Sequence, residues 1–131
     1  MRFMMMMYPQ IEESDWEPPA EAIKAMVDYN HELNGAGVLL SLDGLHPPGA
    51  GAYVTFSNDG TANVTDGPFS EAKELIGGYW MIDVRSKEEA VEWARRCPAR
   101  GCVIEVRRVQ EREDFPPELR SVVDERPLDL T

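Results

Sequence analysis

The sequence predicts an α+β fold of the ferredoxin-like, split β-α-β kind, with an extra β-hairpin. Three observations carry this prediction. Segments follow one another as strand, helix, strand, hairpin, strand, helix, strand. Two of the strand segments are apolar on both faces, and two helices are available to cover them. The chain has 131 residues, enough for a single core and too few for two. An antiparallel sheet carrying both helices on one side accommodates that order.

Each element has its own signal. In "RFMMMMY", residues 2–8, Phe3, Met5 and Met7 point one way and Met4, Met6 and Tyr8 the other, so both faces of this strand are apolar. Core filling explains such a methionine run better than a metal-binding surface does. Pro9 ends the strand and the acidic loop "EESDWEPP" follows. Pro18 and Pro19 suit a first helical turn, where a missing N–H costs nothing. Ile23, Met26, Val27 and Leu33 then fall at helical spacing, with Glu21, Lys24, Asp28 and Glu32 facing away. "NGAG" stops the helix.

"VLLSL" reads as the next strand and "DGLHPPGAG" as a loop of turn-forming residues. "AYVTF" and "TANVT" flank "SNDG", a hairpin signal. After the loop "TDGPFSEAKE", the run "LIGGYWMIDV" is a strand apolar on both faces, in which Tyr79 and Trp80 point to opposite sides. "SKEEAVEWARRC" carries the capping-box spacing of Ser86 and Glu89, with Ala90, Val91, Ala94 and Cys97 as its apolar stripe and Pro98 as its end. "CVIEVRRV" is the last strand. Residues 1–109 thus make the domain, and residues 110–131 a charged tail with a short turn at "PPELRSVV".

Composition narrows the function. The chain is 43% hydrophobic and 28% charged, as ordinary globular proteins are. Thirteen basic against twenty-four acidic residues give a net charge of −11, which repels a phosphate backbone and argues against a nucleic-acid partner. The apolar N-terminal run is too short for a signal or a membrane span, so a cytoplasmic protein without a membrane partner is expected. The cysteines, Cys97 at a helix end and Cys102 at a strand start, form no recognised zinc or disulfide pattern. No metal-ligand spacing is present, and no cofactor is implied.

Two helices cannot cover both faces of the sheet, so one apolar face is left over. Single chains in water rarely tolerate a large exposed apolar patch. RNA occupies that face in other domains of this topology, but this chain is too acidic for it. The remaining solution is a second copy in a two-fold homodimer.

The run "VTDGPFSEAKELIGGYWMIDV", followed by "EEAVEWARRCP" and "IEVRRV", resembles the DGPF branch of the YCII-related proteins. The resemblance extends back through "GAGVLLSLDGLHPP" to "RFMMMMY", residues 1–109. It implies a dimeric α+β barrel with a cavity where a small molecule is bound or converted. It also implies a second possibility, association with extracytoplasmic-function sigma factors. One departure stands out: the histidine that better-studied relatives carry on the first helix, proposed to pair with an aspartate, is replaced here by Met26. His31 lies too near the helix end to take its place.

Asp66-Gly67-Pro68-Phe69 is first a turn, in which Asp bonds back to the backbone and Pro fixes its own φ. Its functional reading makes Asp66, shielded by Phe69 and Pro68, a general acid or base. His46 in "GLHPPG" is the second catalytic candidate, because an imidazole exchanges its proton near neutrality. Phe69, Lys73, Glu74 and Tyr79 are the candidate ligand contacts; Lys73 is placed to meet Asp66 or an anionic ligand. His31, flanked by Asp28 and Glu32, reads as a surface residue. Three functions remain: an acid–base enzyme of isomerase, lyase or hydrolase type acting on a small metabolite, a non-catalytic dimeric regulatory module, or a scaffold without any ligand.

Overall fold

The computed structural model describes residues 1–12, 15–67 and 75–128. Six strands and three helices follow in the order β1 (Arg2–Tyr8), α1 (Ala20–Gly35), β2 (Leu39–Gly44), β3 (Ala52–Phe56), β4 (Ala62–Asp66), β5 (Gly78–Asp83), α2 (Lys87–Arg95), β6 (Val103–Arg108) and α3 (Pro117–Glu125). Four strands form one antiparallel sheet in the order β2-β5-β1-β6, the ferredoxin-like arrangement. β3 and β4 form a separate two-stranded sheet inserted between β2 and β5.

The register separates the two faces of β1. Phe3 lies opposite Ile82 and Arg108, and Met5 opposite Trp80 and Val106. That side is buried beneath the helices: Phe3, Met5, Trp80 and Ile82 belong to one core cluster with Tyr29, Leu33, Val38, Val84 and Ala90. The other side carries Met4, Met6 and Tyr8 beside Met81, Tyr79 and Glu105, all half-buried. Among the described residues, the helices with substantial contacts to this sheet are α1 and α2, which pack on the core side.

Core packing around Trp80 decides which face of α1 points inward. Its indole N–H donates to Asn30 Oδ1 at 2.8 Å, and its ring meets Tyr29 edge-on with centroids 5.8 Å apart. Tyr29 donates in turn to the carbonyl of Trp93 at 2.6 Å, tying α1 to α2. The inward stripe is therefore Met26, Tyr29 and Leu33. Ile23 and Val27, expected to share it, are 50% and 45% exposed. Hydrophobicity alone misplaced the stripe by a fraction of a turn, because a tyrosine with a bonded hydroxyl took the central position.

On α2, Ala90, Trp93 and Ala94 pack inward, with Cys97 just past its end, and Val91 sits at the margin. The Ser86 hydroxyl accepts from Glu89 N–H at 3.1 Å, as the cap spacing predicts. The Glu89 carboxylate bonds Arg85 N–H one residue before the cap. Cys97 and Cys102 are both free thiols. The tail, read as a short turn, instead contains the nine-residue helix α3. It is tied to β1 where Arg2 Nε and Nη2 donate to the Glu111 carboxylate at 2.7 and 3.1 Å. Among the described residues, no helix is long and apolar enough to cross a membrane.

The hairpin turn is held by its own side chains. The Thr61 N–H and the Ser57 hydroxyl both donate to Asp59 Oδ1, and Gly60 takes the left-handed φ of 88° that the turn demands. These bonds to the charged form hold the Asp59 carboxyl down at about 2, below its ordinary 3.8.

Two outcomes follow from this packing. Leu33→Ala should destabilise the fold by about 3 kcal/mol, and Ile23→Ala by less than about 1 kcal/mol, measured by urea unfolding. Because the Asp59 pKa is depressed, its contribution to the hairpin is present above about pH 4 and lost as pH falls towards 2. Carboxylate NMR of Asp59 should give a midpoint near 2, and Asp59→Asn should remove the pH dependence of the Thr61 amide shift.

Candidate functional site

The loop after β2 runs from Leu45 through His46 and Pro47 into a 3-10 turn at Pro48–Ala50. It meets the loop that leaves β4. Gly67 N–H donates to the Gly51 carbonyl at 3.0 Å, adding one rung beyond the Ala52–Asp66 pair. A Cβ on Gly67 would lie 2.5 Å from the Pro48 carbonyl oxygen and 2.6 Å from Gly49 Cα. Both obstacles are backbone, so only glycine fits. The glycine of the "DGPF" run is therefore what lets the hairpin root press against the histidine loop.

This junction forms one wall of a cleft of about 400 Å³. His46, Leu45, Pro47 and Pro48 line one side, Ala52 and Tyr53 come from the hairpin root, and Leu75 and Ile76 close the other. Its surface is chiefly apolar; the imidazole and the Tyr53 ring supply polar tips. Leu75 and Ile76, expected to open the strand, precede it: β5 begins only at Gly78. The pair of glycines between them explains the delay. Gly77 N–H donates to the Met7 carbonyl at 2.7 Å and its carbonyl accepts from Leu45 N–H at 2.9 Å. A Cβ there would strike the Pro9 ring at 2.6 Å, and one on Gly78 would sit 2.9 Å from the Asp43 carbonyl. Trp16, from the acidic loop, donates its indole N–H to the Leu45 carbonyl at 3.2 Å and braces the same corner. Sequence reasoning passed over Leu75, Ile76 and Trp16; the "GG" pair was the signal that the chain makes a close approach there.

The predicted site residues have different fates. His46 is exposed and lines the cleft. Asp66 is exposed at the end of β4 and does not line it, although Gly67 brings its loop against that of His46. Among the described residues, no hydrogen bond joins Asp66 to His46. Phe69, Lys73 and Glu74 lie outside the described residues, as does Pro68. Tyr79 sits on the helix-free face, where its hydroxyl donates to Asp43 Oδ2 at 3.0 Å across the β2–β5 pair. Trp80, its neighbour, points under α1. Met26 is packed against the core with its sulfur 3.9 Å from Cys97 Sγ. His31 is exposed. Among the described residues, no cluster of His, Cys, Asp and Glu is arranged to hold a metal ion.

A model of the YCII-related domain matches residues 1–113. The chain belongs to the YCII-related family. An uncharacterized protein of Rhizobium meliloti (strain 1021) is 42% identical over 60 residues, which are 46% of this chain and 48% of that relative. The chain thus spans about half the length of the curated relative it matches. The YCII-related match takes in every described strand and the start of the tail, so it includes Arg2 and Glu111, whose ion pair ties β1 to the tail.

Two further features surround the sheet of this YCII-related chain. On the helix-free face, Tyr8 donates to Glu105 Oε1 at 2.7 Å, bridging β1 and β6; this bond to a carboxylate raises the Tyr8 pKa. On the helix side, a second groove of about 500 Å³ lies between α2 and β6 and contains both thiols. Burial pushes Cys97 up to about 12 and raises Cys102 as well, so neither is an activated nucleophile.

Gly67→Ala should cost about 2 kcal/mol, because the methyl group has backbone on two sides and no rotamer relieves it. Thermal unfolding measures the loss. Amide shifts of Gly51 and His46 should move together, since one contact holds both loops.

Proposed function

We propose that this YCII-related protein binds a small, mostly apolar molecule in the cleft between the His46 loop, the hairpin root and Leu75–Ile76, and that it works as a homodimer. The observation that carries the reading is the cleft: an apolar pocket of about 400 Å³ with an imidazole at its edge is the kind of place where small molecules are held, apolar walls giving affinity and one polar group giving orientation. His46 is the group that would exchange a proton with the ligand, and Asp66, on the loop pinned against it, is the acid–base partner in the catalytic form of the proposal. The methionine face supports the homodimer: Met4, Met6 and Met81 lie together on the side that no helix covers among the described residues.

A second reading keeps the binding and drops the turnover: a dimeric regulatory module that reports its ligand to a sigma factor or another regulator. It is favoured by the place of Asp66, which is exposed at the end of β4 and outside the lining of the cleft that His46 borders.

A thermal-shift screen of small metabolites tests the cleft. A ligand held at about a hundred times its dissociation constant stabilises by about 2.7 kcal/mol, a shift of about 5 °C or more. His46→Ala should weaken that ligand about tenfold, and Ile76→Asp should abolish the shift. A hit whose effect survives both substitutions lies elsewhere and sinks the proposal. Turnover of a hit, lost in His46→Gln, separates the enzyme from the module.

A further inference from the structure

The edge strand β6 turns two branched side chains toward the helices, and α2 covers them only in part. Ile104 and Val106 share the core face with Met7 and Met5, which lie opposite them on β1, yet both stay half-buried. The reason is on the facing helix. Lys87, Val91, Ala94 and Arg95 recur at i, i+4, i+7 and i+8 and so form one side of α2. The middle positions of that side are a valine and an alanine, too short to fill the space above β6. A groove of about 500 Å³ is left between the two elements, within the range of volumes that hold small molecules. It shares no lining residue with the His46 cleft.

Charge sets this groove apart. The chain carries 24 acidic residues against 13 basic, yet the groove is lined by two cations, Lys87 and Arg95, and by no carboxylate among the described residues. The glutamates of α2 stand on its other sides. The two cations differ in what they already hold. Arg85 pairs with Glu89, Arg95 with Glu92 and Arg96 with Glu32, whereas the Lys87 ammonium has no carboxylate partner among the described residues. Lys87 stands at one end of the groove. From there an apolar channel bounded by Val91, Ala94, Ile104 and Val106 runs about 12 Å along α2 to Arg95.

We propose that this groove binds a linear aliphatic carboxylate, with its head on the Lys87 ammonium and its chain laid between α2 and β6. Each part of the ligand answers a feature of the groove. An ammonium without a carboxylate of its own calls for an anionic head, and the bond between them is charge-assisted. The long, shallow channel calls for an unbranched chain, and the half-covered Ile104 and Val106 lose their remaining water when it is filled. Repulsion by the net charge of the chain is screened beyond about 8 Å at physiological ionic strength, so the local ammonium decides the sign of the head. The site is separate from the His46 cleft and stands whether or not that cleft binds a ligand.

Calorimetric titration with decanoate, kept below its micelle concentration, tests the site on the full chain. Decanoate should bind in equimolar ratio, and about tenfold more tightly than octanoate, because two further methylenes are buried. Decanol and decyltrimethylammonium carry the same chain without the negative head and should bind at least about tenfold more weakly. Lys87→Gln should weaken decanoate about tenfold and Lys87→Arg should restore it. Val91→Trp, at an exposed position, fills the groove and should abolish binding, with a thermal unfolding transition to show that the chain is still folded. His46→Ala should leave the decanoate constant unchanged. No uptake of decanoate, or equal binding of the three heads, overturns the proposal. So does binding that is lost in His46→Ala but indifferent to Lys87 and Val91, since the acid then occupies the other cleft.

Discussion

A strand of methionines holds the architecture to one solution. β1 is paired on both edges, to β5 and to β6, so it cannot turn either of its faces to the outside by moving. Phe3 and Met5 are sealed by α1 and α2, and every other strand of the sheet takes its register from that seal. Met5 sets Trp80 opposite it; Trp80 sets Asn30 and Tyr29; Tyr29 reaches Trp93 on the second helix. The opposite face inherits its membership from the same register, since side chains alternate along a strand. Met4, Met6 and Met81 share that face for the same reason that Phe3, Met5 and Ile82 share the core.

The fold was legible because its signals are local and periodic. Proline and glycine mark nearly every boundary, and the strand and helix periods differ enough to be told apart by eye. What the residues did not reveal depends on contacts between distant segments. Tyr29 carries a polar hydroxyl, so a hydrophobicity count leaves it off the inward stripe; only the Trp93 carbonyl 64 residues away makes its burial tolerable. Leu75 and Ile76 continue an apolar run into β5, and nothing within that run says that Gly77 must swerve to meet Met7 and Leu45. The tail was under-read because α3 is short and polar along much of its length, with its helical character resting on a proline start and on Arg112 reaching Asp124.

The candidate site was half visible. "GLHPPG" and "TDGPF" each announce a turn, and His46 does line a cleft. That the two turns lean on one another is invisible in sequence, because the link is a missing side chain. Gly67 leaves room for the Pro48 carbonyl, and absence of volume has no letter pattern. Assigning Tyr79 to a ligand site and Trp80 to a face required the register as well; the pairing with Asp43 places Tyr79 on the methionine side.

The lateral borders of the sheet have a quieter significance. On one border β2 breaks step between Leu39 and Ser41, and on the other β6 ends in two consecutive arginines, Arg107 and Arg108. An interrupted ladder and a row of cations both discourage another strand from docking alongside. Growth by sideways stacking, the route to ribbons and fibrils, is disfavoured at both margins of the sheet.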